Sequence, residues 1–225
     1  MTRRLPLFPL GTVLYPGAVL PLHVFEDRYR RLVRDLSHLP EGAPRHFGII
    51  AIKEGHEVGA EGVRALHDVG CTAEVRQVRE YADGRFDLVA VGARRFRLVG
   101  LDESLPYLQG DIDTLPEPVG SEAGTAALAA EVARLYLAYR GALLSIHRGV
   151  RAPRPTLPDD PVVLSYLVAA SLVVELAAKQ RLIAVQDATS RLAVERRLLG
   201  QEIAVMAALP SLPALDLLQI APGPN

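Results

Sequence analysis

RLPLFPLGTVLYPGAVLPLHVFEDRYRRLVRD, residues 4–35, is the stretch whose reading decides the fold. Between Leu5 and Phe25 it holds no Asp, Glu, Lys or Arg, and then Glu26, Asp27, Arg28, Arg30, Arg31, Arg34 and Asp35 arrive together. An uncharged run behind Arg3 and Arg4 has the outline of a signal peptide or a membrane span, but its interior does not. Pro6, Pro9, Pro16 and Pro21 each lack an N–H and would break a spanning helix. No small-residue cleavage site of the A-x-A kind follows. The pattern instead predicts two short buried strands, 5–8 and 18–24, joined by a turn around Gly11 and Tyr15-Pro16-Gly17. A helix is predicted over about 26–36, with Tyr29, Leu32, Val33 and Leu36 on one face and Arg30, Arg31 and Arg34 mostly on the other. Glu26 and Asp27 fall in its first turn, where acidic groups suit the helix dipole.

Outward from this stretch the period stays near two. HFGIIAIK (46–53) is an apolar run of strand length, and 55–62 is a turn-rich loop. Over 66–80, Cys71, Ala73 and Val75 alternate with Thr72, Glu74 and Arg76, and Val78 is placed on the side of Cys71. Asp83-Gly84 between two strand-like runs is a hairpin signal. FDLVAV (86–91) is followed by a break at Gly92-Ala93. RFRLVGL (95–101) then alternates, with Phe96, Leu98 and Leu101 on the core side. In YLQGDIDTL (107–115), Leu108, Gly110, Ile112 and Thr114 oppose Gln109, Asp111 and Asp113. Residues 1–116 therefore read as a β-rich domain of about six strands with one helix.

Beyond a turn-rich linker at 115–124 the period changes to 3.6. Residues 126–146 are Ala/Leu-rich and helical. A proline-rich loop spans 149–158, and Asp159-Asp160-Pro161 is a helix start with an acidic cap and proline in the first turn. Helix continues to about Met206 in three pieces, with breaks near Val173 and at Asp187. Leu192, Leu199, Ile203 and Met206 share one face of the last piece. Residues 121–208 form a helical bundle, and 209–225, punctuated by proline, form a tail.

Composition narrows the function. The 225 residues are 49% hydrophobic and 23% charged, with a formal net charge of −1. That balance gives no global attraction to nucleic acid or to an anionic membrane. Cys71 is the lone cysteine, so no disulfide framework exists, which suits a reducing cytoplasm.

The stretch 4–35 resembles the start of the Lon N-terminal domain family, the substrate-recognition domain at the front of Lon proteases that also occurs as a separate bacterial protein. The matching residues are LPLFPL at 5–10, YPG at 15–17, LPL at 20–22 and FEDRY at 25–29. Family sequences usually carry Pro where Asp27 stands and often Phe where Tyr15 stands. The resemblance continues through GCTAEV at 70–75, DG at 83–84, GARRFRL at 92–98 and PYL at 106–108. In the helical half it continues through DP at 160–161, ELAAKQRL at 175–182, Asp187, RL at 191–192 and LLGQEI at 198–203. At Glu195 the family usually has an apolar residue. The match spans roughly 4–206 and implies an α+β fold: an N-terminal PUA-like β pseudo-barrel followed by a C-terminal α-helical bundle.

Catalytic equipment is largely missing from the sequence. An ATPase module and a Ser–Lys protease domain follow this region in full-length Lon proteases. Here no G-x-x-x-x-G-K-[ST] phosphate loop occurs, since no Gly precedes a Lys. A Ser–Lys dyad would need Lys53 or Lys179, the only lysines. No serine has Gly at both −2 and +2. His56-Glu57 opens like a zinc motif, but position 60 is Ala. His46, His56 and His67 show no metal spacing, Cys71 reads as a small core residue, and Asp111/Asp113 read as a solvated face. No cofactor, metal or catalytic residue is expected.

Two clusters remain. Arg28, Arg30, Arg31 and Arg34, with Arg94, Arg95 and Arg97, raise RNA binding as an alternative, since the resemblance implies a PUA-like fold. Interleaved acids, few aromatics and neutral total charge favour a solvated face. The apolar cluster comprises Leu14, Tyr15, Val24, Phe25 and Tyr29. Most of these belong to the core, while one or two line a groove, and exposed apolar patches mark partner sites. Leu14, Tyr15, Phe25 and Tyr29 are therefore the candidate peptide-binding residues. The expected partners are unfolded or partly folded polypeptides, bound as an adaptor or holdase, with a protease or chaperone as a further partner. A remnant peptidase is the weaker alternative.

Overall fold

The computed structural model describes residues 3–56, 63–121, 123–146, 153 and 155–208. The predicted tail at 209–225, Glu57 and Ala60 of the zinc-like motif, and much of the loops 55–62 and 149–158 lie outside the described residues. The elements run β1 (Arg3–Leu10), β2 (Val19–Val24), α1 (Asp27–Ser37), β3 (His46–Gly55), β4 (Val63–Leu66), β5 (Val69–Glu80), β6 (Phe86–Asp102) and β7 (Gln109–Thr114). The helices α2 (Thr125–Ile146), α3 (Pro161–Ser171), α4 (Leu176–Ala184) and α5 (Ala188–Ala208) follow.

The sheet closes on itself. β1 pairs antiparallel with β7 and parallel with β3, so β1, β7, β6, β5 and β3 form a ring. β4 extends β3, and β2 lies along the first half of β6, from Val19 opposite Val91 to Val24 opposite Phe86. The barrel interior is filled by Leu5, Leu7, Ile50, Phe96 and Ile112. Glycine lets this interior close: a Cβ on Gly70 would stand 2.5 Å from both the Ile49 carbonyl oxygen and the Phe96 ring.

Local rules account for most boundaries. Asp160 accepts hydrogen bonds from the N–H groups of Val162 and Val163, and Pro161 fills the first helical position of α3. Gly84 takes φ of 77° in the β5–β6 turn, as the Asp-Gly pair predicted. The buried face of α1 is Tyr29, Leu32, Val33 and Leu36. The breaks near Val173 and at Asp187 separate α3 from α4 and α4 from α5.

Four expectations are corrected. β4 is an additional strand, too short for its alternation to stand out. β6 runs without a break through Gly92 and Ala93, because Gly92 packs against the carbonyl of Tyr15 where a side chain would collide. Leu101 is half-exposed rather than in the core, since the ladder to β7 slips one residue between Leu98 and Gly100. β2 is not a buried strand: Val19, Pro21 and His23 are exposed, because β6 is its only sheet partner among the described residues.

A second, larger core runs from the barrel into the helices, from Phe8, Leu32, Phe47 and Leu88 to Val132, Tyr139, Leu164, Leu182 and Leu199. Polar groups order this seam. The Tyr15 hydroxyl donates to the Lys179 carbonyl at 2.8 Å, and Gln180 Nε2 donates to the Val69 carbonyl at 2.8 Å. Arg95 of β6 is buried and ion-pairs with Glu117 at 3.0 Å. It also donates to the carbonyls of Pro116, Ile183, Val185 and Gln186, which tie the end of α4 to the barrel. Tyr166 donates to the same Glu117 and accepts from Arg191 at 3.0 Å.

Candidate functional site

The four candidate residues separate into two places. Leu14 and Tyr15 are buried, and Tyr15 belongs to the seam, its ring 6.4 Å from that of Tyr166. Burial raises the Tyr15 phenol well above its ordinary value. Phe25 and Tyr29 instead line a groove of about 150 Å³ at the barrel wall. Tyr29 is stacked on Phe8 with ring centroids 4.0 Å apart, while Phe25 is 49% exposed.

The topology explains the groove. Along β6, β7 occupies one end and β2 the other. β7 bonds onward to β1 between Arg3 and Pro6, whereas β2 makes no ladder with β1. The space between is lined by Phe8, Pro9 and Leu10 of β1 and by Leu22, His23, Val24 and Phe25 beside them. Glu26 closes one end, with its carboxylate paired to Arg28 at 2.9 Å. Neither strand segment lining the groove carries Asp, Glu, Lys or Arg. This arrangement can pack apolar groups, and it presents no nucleophile.

Beside the groove, His23 Nδ1 lies 2.7 Å from Asp87 Oδ1, and the Tyr81 hydroxyl donates to the other oxygen of Asp87. These bonds hold the Asp87 carboxyl below its usual range and raise the Tyr81 phenol. Among the described residues no serine or cysteine is hydrogen-bonded to this cluster. Its hydrogen bonds and the His23–Phe25 ring contact at 6.4 Å fix the approach to Phe25.

Other chemistry is not assembled. Cys71 is fully buried in the core and burial pushes its thiol up to about 12. Lys53 is exposed on β3, and neither it nor Lys179 is hydrogen-bonded to a serine among the described residues. No group of three metal-ligating side chains occurs among the described residues. The arginine cluster is dispersed: Arg30 pairs with Asp27 and bonds Gly84, Arg31 pairs with Asp35, and Arg95 points into the seam. Sequence reasoning missed the exposed half of β2 and the seam arginines. Proline at position 21 was the available signal for the first, because proline inside a sheet marks an edge. Nothing in the sequence distinguished Arg95 from its exposed neighbours Arg94 and Arg97.

A closed pseudo-barrel joined to four helices, with an apolar groove in the barrel wall, defines an α+β domain. The family model described as the ATP-dependent protease La (LON) substrate-binding domain matches residues 4–201, and the chain belongs to that family. It is 26% identical over 209 residues to Lon protease 2 of Myxococcus xanthus, covering 88% of this chain and 24% of that protein. It is 26% identical over 216 residues to Lon protease 2 of Herpetosiphon aurantiacus, covering 91% and 24%. The chain thus spans about a quarter of the length of these curated relatives. Among solved structures, the N-terminal domain of Mycobacterium avium complex Lon protease superposes with a TM-score of 0.63 at 23% identity, covering 88% of this chain and 98% of that one. A Lon N-terminal domain protein from Xanthomonas campestris superposes at 0.59 with 24% identity, covering 92% and 99%. These likenesses establish the fold. No described helix is long and apolar enough to cross a membrane.

Proposed function

We propose that this protein is a non-catalytic substrate-recognition module that binds apolar stretches of unfolded or partly folded polypeptides in the cytoplasm. In this reading it acts as an adaptor or holdase and presents its cargo to a protease or chaperone. The observation that carries the reading is the mainly apolar groove between β1 and β2, closed by the Glu26–Arg28 pair, with Phe25 half-exposed at its rim. A folded protein keeps such apolar segments inside, so the groove selects for chains that have lost or not yet reached their fold. Family membership supports recognition of polypeptide, and the Lon protease relatives support a setting in protein turnover.

The test is equilibrium binding of the purified protein, without nucleotide, to one model protein presented folded and permanently unfolded. Selective micromolar binding of the unfolded form is expected. Binding of neither form would overturn the reading. ATP-independent peptidase activity that disappears in Lys179→Ala would overturn its non-catalytic part.

A further inference from the structure

Resting on that reading, we propose that the polypeptide is captured as an added strand on the outer edge of β2, bonded through its backbone to Val19, Pro21 and His23. Its apolar side chains pack into the groove against Phe25.

The register fixes which groups are available. The Gly92 N–H donates to the carbonyl of Ala18, directly opposite it in the β2–β6 ladder. In an antiparallel pair, residues that face their partner with both backbone groups alternate with residues that face away. Leu20, Leu22 and Val24 therefore turn their N–H and C=O groups towards β6. Val19, Pro21 and His23 turn theirs outward. β6 is the only strand bonded to β2 among the described residues, so this outward row has no ladder partner. Pro21 sits where proline is tolerated, because its missing N–H would face away from the sheet.

The row has a definite chemistry: donors at Val19 and His23, and acceptors at Val19, Pro21 and His23. Alternate residues of a strand stand about 6.6 Å apart, the repeat of an extended chain. A helix cannot answer such a row, since its own N–H and C=O groups are bonded internally. The groove, at about 150 Å³, is below the roughly 300–1,000 Å³ of small-molecule pockets and suits single apolar side chains.

Charge points to the same occupant. Edge strands are usually guarded by charged side chains that discourage pairing. The outer strand β4 carries Arg64, and the last turn-ward part of β5 carries Arg76, Arg79 and Glu80. β2, VLPLHV, carries no Asp, Glu, Lys or Arg, and Val19 is 64% exposed. An edge that carries Pro21 but no Asp, Glu, Lys or Arg, next to an apolar groove, fits an extended, uncharged, β-prone segment.

The experiment uses the full chain and a soluble fluorescent peptide of about ten residues, with apolar and polar side chains alternating around one central Phe. The peptide is N-methylated one position at a time, and amide exchange in the protein is followed by NMR. The expected result is a weakening of about tenfold at alternate positions and little change at those between. The Val19 and His23 amides are expected to exchange freely without ligand and to become protected when peptide is bound. Uniform tolerance of N-methylation, with unprotected Val19 and His23 amides and binding still lost in Phe25→Ala, would overturn strand addition and leave polypeptide recognition standing. If neither this peptide nor a permanently unfolded protein binds, both readings fall.

Discussion

Arg191 and Glu195 stand one turn apart on α5, both completely buried, yet they form no ion pair. Arg191 directs its donors elsewhere: to the Leu182 carbonyl at 3.2 Å, Ser165 Oγ at 2.7 Å and the Tyr166 hydroxyl at 3.0 Å. Its guanidinium also lies 4.0 Å from the centre of the Tyr166 ring. Both carboxyl oxygens of Glu195 lack a partner among the described residues. Burial raises this carboxyl well above its ordinary value of 4.5, against the opposing pull of Arg191.

This arrangement sets a pH dependence. A carboxyl that holds its proton longer folded than unfolded makes the folded state the greater proton binder. Stability is then full below the unfolded value and falls as pH rises towards the folded one, by up to about 1.4 kcal/mol per unit. Urea midpoints of the natural protein and Glu195→Gln, measured from pH 4 to 8, should diverge with rising pH, the variant keeping the flatter profile. Glu195→Met should be more stable at pH 7 by about 1–3 kcal/mol, because it removes a buried polar group that nothing satisfies.

Arg95 should behave in the opposite way. It is fully bonded, and removing it takes the ion-pair partner from Glu117 and the donor from several carbonyls at the end of α4. Arg95→Met should cost about 3–5 kcal/mol in denaturant unfolding. A loss under 1 kcal/mol would mean the seam relaxes around water.

Tyr15 and Phe25 separate stability from binding. Tyr15→Phe removes the bond to the Lys179 carbonyl and should cost about 1 kcal/mol with polypeptide affinity unchanged. Phe25→Ser leaves stability within about 0.5 kcal/mol, as an exposed position should. The same substitution should weaken binding of unfolded polypeptide at least about tenfold, or roughly 1.4 kcal/mol.

Gly92→Ala places a methyl group against the carbonyl oxygen of Tyr15. The backbone cannot yield without opening the β2–β6 pairing, so the variant should lose more than about 2 kcal/mol of stability. Thermal unfolding of this variant beside Gly141→Ala, where no atom lies within 4 Å, provides the contrast.

Features governed by local chemistry were legible in the sequence. The Asp160-Pro161 start of α3, the Asp83-Gly84 turn and the four-residue buried face of α1 each depend on neighbours in the chain, and each is present. What depended on distant partners was not legible. The half-exposed β2 reads as buried because it lacks charge, and only its single sheet neighbour reveals the edge. Continuity of β6 through Gly92 follows from the approach of Tyr15, which no local pattern encodes. Of the candidate site, Phe25 and Tyr29 meet at one groove, whereas the burial of Tyr15 depends on a helix more than a hundred residues away. Glu195 stood out as a departure from the family pattern, and its burial makes that departure consequential.

The placement of β1 between β3 and β7 bears on the protein's own birth. Arg3 to Pro6 leave the ribosome well before their antiparallel partners, Gln109 to Ile112, which are made roughly a hundred residues later. At about 5–20 residues per second, the uncharged segment that begins at Leu5 waits on the order of ten seconds before the barrel can close. During that interval it is an extended apolar chain of the kind the finished groove is proposed to hold. A nascent copy is thus a potential guest of a mature one, and the yield of folded protein should depend on how much of it is already present.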